Sequence, residues 1–264
     1  TISTGSVTLS ANSTVAGSFT GNGAVTVSGG TTTLNSGAGF TAPLTLSGGT
    51  ITTSVTVSAA SFTQTGGTLT GAGTLNAGGG GWSGGTMSGS GKTSITATAS
   101  FAISGASQKT LDTRTFENSG ATSWSGSGAL AGQNGAALNN QSGASFTIQG
   151  DASLTTSGAA VTFTNATGAT LTKNTTSGTT TIGASFTHSG TANISTGTLA
   201  LAGTATLNAT IGGAGTLSVV AGGTTTVPTG VTVSVGNYSQ SGGTLTGAGT
   251  LTITSAGTWG GGIM

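Results

Sequence analysis

Acid–base or nucleophilic catalysis needs titratable groups held in pairs, and this sequence offers few: Lys92, Lys109, Asp112, Arg114, Glu117, Asp151, Lys173, His188 and Tyr238. Four of them fall in one stretch, Lys109-Thr-Leu-Asp112-Thr-Arg114-Thr-Phe-Glu117. Two positions apart on a strand, Asp112 and Arg114 point to the same side, so a local ion pair is expected, on a solvated edge or in a loop that breaks regular structure. The same patch is the one place where a carboxylate with basic partners could bind or turn over a ligand. His188 has no carboxylate or second histidine near it in sequence. Calcium repeats need an Asp in every turn, and none recurs here. No metal or cofactor is expected, and no catalytic residue is assigned.

Two short motifs fail on inspection. Gly89-Ser-Gly-Lys92-Thr93 has the tail of a phosphate loop, but Thr86 stands where its first glycine is required, and no strand-to-helix context surrounds it. Gly150-Asp-Ala-Ser-Leu154 has an alanine inside what would be a nucleophile motif. Trp82, Trp124 and Trp259 could stack on sugars, and with Asp112 and Arg114 they are the candidate ligand contacts. Threonine runs at Thr31–Thr33, Thr179–Thr181 and Thr224–Thr226 raise ice binding, since a flat ladder of Thr can order water, but their irregular spacing along the chain speaks against it. The Asn-x-Ser/Thr sites, such as Asn140 and Asn165, arise by chance in a threonine-rich chain.

The elements that must carry these residues are short strands. Val7-Thr-Leu9, Val25-Thr-Val27, Leu44-Thr-Leu46, Val55-Thr-Val57, Val231-Thr-Val233 and Leu251-Thr-Ile253 each alternate apolar, polar, apolar, which is the pattern of a strand with one buried face. Gly-Gly, Ser-Gly and Ala-Gly steps between them are turn chemistry. No stretch shows helical periodicity, and Thr, Ser and Gly are weak helix formers. Charged residues make up 3% of the chain and Gly contributes 52 positions. Such composition points toward disorder, but disordered chains are usually charge-rich and unpatterned, and this one is neither. Net charge is +1, so neither nucleic acid nor an anionic membrane is an expected partner. No apolar run approaches the ~20 residues of a membrane helix. The chain begins at Thr1 without an initiator Met and reads as a segment of something longer.

Internal repetition is the dominant signal. Gly66-Gly-Thr-Leu-Thr-Gly-Ala-Gly-Thr-Leu75 recurs unchanged as Gly242 to Leu251, Phe62-Thr-Gln64 answers Tyr238-Ser-Gln240, Trp82 answers Trp259, and Met87 answers Met264. Ile2-Ser-Thr-Gly5 answers Ile194-Ser-Thr-Gly197, and Gly29-Gly-Thr-Thr-Thr-Leu34 answers Gly222-Gly-Thr-Thr-Thr-Val227. Residues 1–87 and 193–264 are therefore copies of one block flanking a central region, 88–192. The first copy carries about 17 additional residues, close to one turn of a narrow coil. In the central region Phe116, Leu138, Phe163, Phe186 and Leu207 recur at coil spacing. A Val-Thr-Val strand cannot hold itself folded; stacking coils on a shared backbone ladder is what stabilises it. The expected fold is all-β: one continuous, elongated parallel β-solenoid over 1–264. It should have about 12 coils of roughly 17–25 residues, right-handed, with Val and Leu in interior columns and Thr and Asn outside.

The Phe-x-Gln-Ser/Thr-Gly-Gly-Thr-Leu-Thr-Gly-x-Gly-Thr-Leu pattern, followed by Gly-Gly and Trp, resembles the β-strand repeats of large bacterial surface proteins, namely autotransporter passenger domains and filamentous-haemagglutinin-like adhesins. The resemblance implies a parallel β-helix, export to the cell surface, and a role in adhesion or surface structure. It transfers no catalytic residue. Together these readings lead to a non-enzymatic structural repeat of an extracellular fibre, sheath or stalk. Its partner is itself, end to end or laterally. The alternative is an adhesin whose side faces hold carbohydrate or abiotic surfaces.

Overall fold

A computed structural model describes residues 1–2 and 4–264; Ser3, inside the first Ile-Ser-Thr-Gly repeat, lies outside the described residues. The chain is all-β, a parallel β-solenoid of about 13 turns. Each turn contributes three strands, and as far as Thr191–Ile194 every strand pairs in parallel with the strand three further along; beyond it Ile211–Val219 and Thr232–Thr246 run continuously round corners and pair on more than one face. Three ladders result, so the coil is a triangular prism. The first face runs from Ser6–Leu9 through Ala24–Val27 and Leu44–Leu46 to Phe62–Gln64 and beyond. The second runs from Ser13–Val15 through Thr31–Leu34 to Thr50–Thr53. The third starts with Ser18–Phe19 and Gly39–Phe40. At ~4.8 Å per coil the prism is roughly 60 Å long.

Alternation decides what goes inside. Val25 and Val27 are buried and Thr26 is not; Leu44 and Leu46 are buried and Thr45 is not. Apolar side chains thereby stack in columns through the shared ladder, each column covered by the coil above and the coil below. Asparagine departs from the expected placement. Asn118, Asn140 and Asn165 are interior, at most 1% exposed. The register also corrects the expected aromatic spacing: Phe116, Leu138, Phe163 and Phe186 do stack in one column, but Ala205 follows them, and Leu207 stacks on His188.

Corners are where glycine is needed. Gly67 has φ of +64°, and a Cβ there would meet the Gly49 carbonyl oxygen of the coil below at 2.6 Å. Gly243, its counterpart in the second block, has the same φ and would meet the Gly223 oxygen at 2.4 Å. The corner glutamine is also shared. Gln64 donates from Nε2 to the Gly67 and Thr86 carbonyls at 3.2 and 3.0 Å. Gln240 donates to those of Gly243 and Ile263 at 3.4 and 2.9 Å.

The two blocks nonetheless occupy different sides of the prism. Phe62–Gln64 lies on the first face, stacked on Leu44–Leu46. Tyr238–Gln240 lies on the second, stacked on Leu217–Val219. The second copy is thus turned by one face, which a near-threefold coil permits because each strand-and-corner unit meets the same backbone surroundings. Thr31 sits two coils from Thr68, by way of Thr50, whereas Thr224 sits one coil from Thr244.

Coil length varies more than the sequence spacing implies. The coil that brings Phe62 onto Gly80 is among the shortest. Coils lengthen where Ala137 stacks on Thr162 and are longest where Leu154 stacks on Ile182. They shorten again where Thr232 stacks on Thr250.

Candidate functional site

The Lys109–Glu117 stretch does not form a patch. Its first four residues are a strand of the second face, and Thr115–Asn118 is a strand of the third. Between them the chain turns a corner, with Thr113 at φ of +57°. The corner ends the two-residue alternation, so Asp112 and Arg114 do not share a side. Asp112 stays at the surface and accepts a hydrogen bond from Asn134 Nδ2 at 2.8 Å. Arg114 enters the coil and is fully buried. The ion pair expected from spacing is therefore absent.

Inside, the Arg114 guanidinium finds acceptors but no carboxylate. Nε donates to Thr93 Oγ1 at 2.9 Å. Nη1 donates to the carbonyls of Gly71 and Ser88 at 3.2 and 3.1 Å. Nη2 donates to those of Gly73 and Lys92 at 3.3 and 2.8 Å. All five N–H groups are used, and they tie together corners from three successive coils. Burial lowers the pKa of the group to about 10, so it remains charged at neutral pH.

Two lysines repeat the device. Lys109 Nζ donates to the Ser104, Ser107 and Gly105 carbonyls at 2.9, 2.8 and 3.5 Å, and its pKa is lowered by burial. Lys173 Nζ reaches the Gly150 carbonyl at 3.1 Å, Thr180 Oγ1 at 3.2 Å and Asp151 Oδ1 at 3.0 Å. The Asp151 carboxylate is half exposed. A hydrogen bond from Thr176 is the largest influence on it and, with Lys173, holds it below its ordinary range although burial opposes them. Lys92 and Glu117 pair at 2.9 Å on the outside of the third face, where an ion pair contributes ~0–1 kcal/mol.

The interior asparagines form a ladder that continues into His188. Asn118 Nδ2 donates to Asn140 Oδ1, and Asn140 Nδ2 to Asn165 Oδ1, each at 2.8 Å. Asn165 Nδ2 meets His188 Nδ1 at 3.2 Å, and His188 Nε2 faces the Thr210 carbonyl at 3.3 Å. These partners fit a neutral ring protonated on Nε2. Desolvation lowers the imidazole pKa, with the Thr210 carbonyl opposing it. The asparagines also cap corner carbonyls: those of Ser145, Thr170 and Thr191, at 2.8, 2.9 and 3.1 Å. A signal for this ladder is present in the sequence, since Asn118, Asn140, Asn165 and His188 each stand two places after the column of Phe116, Leu138, Phe163 and Phe186.

Sugar stacking at Trp82 and Trp124 is corrected by burial: they are 0% and 1% exposed, so neither ring offers a face to a ligand. Trp82 Nε1 donates to the Gly84 carbonyl at 3.1 Å. Trp259, its counterpart in the second block, is 63% exposed, with Ile263 and Met264 beside it at 65% and 59%. Trp259 stacks on the buried Gln240, whereas Ile263 stacks on Thr244. In the first block the corresponding positions are covered, Trp82 by Ile103 and Met87 by Leu111.

Chemically, the buried cations neutralise stacked carbonyl dipoles, and the surface charges are dispersed. Among the described residues no three of His, Asp and Glu gather where they could hold a metal ion. No family model, no curated protein and no solved structure matches this chain.

Proposed function

We propose that this chain is a structural repeat of a secreted or cell-surface fibre, sheath or stalk, extended by stacking coil on coil. One observation carries the reading: parallel ladders run coil on coil through the described chain, and each coil covers the apolar column of the one before it, as Ile103 covers Trp82 and Leu111 covers Met87. An exposed coil end combines unpaired strand edges with apolar columns, and both are satisfied by another coil. The bacterial surface-repeat resemblance points to the same role. So does the use of Arg114, Lys109 and Lys173, which serve corner carbonyls rather than a reaction centre.

The test is assembly against concentration. Sedimentation and electron microscopy are expected to show rods that lengthen as the protein is concentrated. Trp259→Lys, which places a charge on the exposed column, should shorten them to single units without loss of the β-sheet circular-dichroism signal. Single, unassociated chains of the parent protein at every concentration would overturn the proposal.

A further inference from the structure

The exterior of the coil carries a second regularity that does not depend on stacking between chains. On the second face, Thr31 and Thr33 lie beside Thr50 and Thr52, and these beside Thr68 and Thr70. Each pair flanks one inward residue, Thr32, Ile51 or Leu69, all fully buried, so the six threonines point outward. The block duplication, turned by one face, carries the Thr31–Thr33 and Thr68–Thr70 rows to the third face, where Thr204 and Thr206 make a third row. There Thr204 and Thr206 lie beside Thr224 and Thr226, and these beside Thr244 and Thr246. The registers are unbroken in both arrays. Irregular sequence spacing of the threonine runs is absorbed by variable corners and does not reach the faces.

From these observations we infer that the two threonine arrays are binding surfaces for ice. The ladder fixes the hydroxyls on a two-dimensional lattice, ~4.8 Å between coils and ~6.6 Å between alternate residues along a strand. The oxygen repeats of a prism face of hexagonal ice are of this size. β-Branched threonine has a restricted χ1, so methyl and hydroxyl are held in one orientation per site, and bound water loses little by being ordered between the columns. Neither array contains a charged residue that would hold water in a competing geometry. A single hydroxyl binds water weakly; the effect requires many in register, which the ladder provides twice.

The experiment is partition of the purified chain into slowly growing ice, together with the gap between melting and freezing points. Measurements are made with Trp259→Lys protein, so that coil stacking does not contribute. The parent is expected to enter the ice. Thr52→Tyr and Thr226→Tyr each place a bulky outward ring in the middle of one array, and each should lose about half of the partition; the double variant should lose all of it. Thr63→Tyr, outward on the first face, is the control and should behave as the parent. Circular dichroism reports whether each variant keeps its β-structure. A parent that stays in the liquid overturns the inference, as does a folded double variant that still enters the ice.

Discussion

The terminal blocks and the central region solve one problem in opposite ways. Coil stacking leaves corner carbonyls facing one another from turn to turn, and each must find a donor or be relieved by close packing. In the first block the coils are short, as between Phe62 and Gly80, and in both blocks glycine lets backbone pack on backbone: Gly67 rests on Gly49, and Gly243 on Gly223. No charged residue occurs in either block. In the central region the coils lengthen, most of all between Leu154 and Ile182, corners widen, and the extra carbonyls are met by side-chain donors. All seven charged residues and the histidine lie there. Aromatic rings fill the enlarged interior, with Phe146, Phe163 and Phe186 in contact at centroid distances of 5.5 and 5.3 Å. Narrow coils thus need residues without side chains, and wide coils need long polar ones.

Exchanging these solutions should be costly at both places. Arg114→Leu leaves the carbonyls of Gly71, Gly73, Ser88 and Lys92 and the Thr93 hydroxyl without their donor. Each buried group left unpaired costs ~1–3 kcal/mol, reduced by water entering the vacated corner; a net loss of about 4 kcal/mol is expected in denaturant unfolding. Gly67→Ala places a Cβ at 2.6 Å from the Gly49 oxygen in a left-handed conformation. The conformation alone costs ~1–2 kcal/mol, and the crowding raises the total to about 3 kcal/mol. If either variant unfolds with the parent's midpoint, the division of labour between corner types is wrong at that site.

A smaller effect separates the regions by pH. Because His188 has its imidazole pKa lowered by burial, the unfolded chain binds the proton more readily than the folded one. The contribution of the ring to stability is full above its ordinary value of 6.5 and is lost as pH falls through that value toward the folded one. The slope cannot exceed about 1.4 kcal/mol per pH unit for one proton. Protonating Nδ1 would also turn a proton toward the Asn165 amide, which already donates there. His188→Asn continues the asparagine ladder with a group that does not titrate. It should leave melting unchanged at pH 7.5 and flatten the acid decline near pH 6; a decline as steep as the parent's would remove His188 from the account.

The stacked architecture was legible because its signals are local: alternation in Val25-Thr-Val27, glycine steps at corners, and a block written twice. Trp82 and Trp259 stood at equivalent places for the same reason. The interior polar groups were legible only by combining two signals, because a strand's alternation gives sidedness and the apolar column gives which side is core. Asn118 reads as an outward polar residue until Phe116, two places earlier, is known to be inward. The corner at Thr113 defeated the Asp112–Arg114 pairing: alternation holds along a strand, and one residue at positive φ resets it. The one-face turn of the second block could not be read either, since it depends on how many corners intervene and not on the repeated residues.

The finest distinction between the regions lies in two tryptophans of equal burial. Trp82, in the first block, donates its indole N–H to the Gly84 carbonyl, whereas the Trp124 N–H, in the central region, is buried without a partner among the described residues. Phenylalanine keeps a ring in both columns and removes the N–H together with some volume. At Trp82 that also strands an acceptor; at Trp124 it removes a group that was already unsatisfied, which offsets part of the lost packing. Trp82→Phe should therefore destabilise more than Trp124→Phe, by about 1 kcal/mol in paired denaturant titrations. The two single variants suffice, because the residues stand in the same column two coils apart with Ile103 between them. Equal losses would mean that the Trp82 hydrogen bond contributes nothing and that ring volume alone sets the stability of this column.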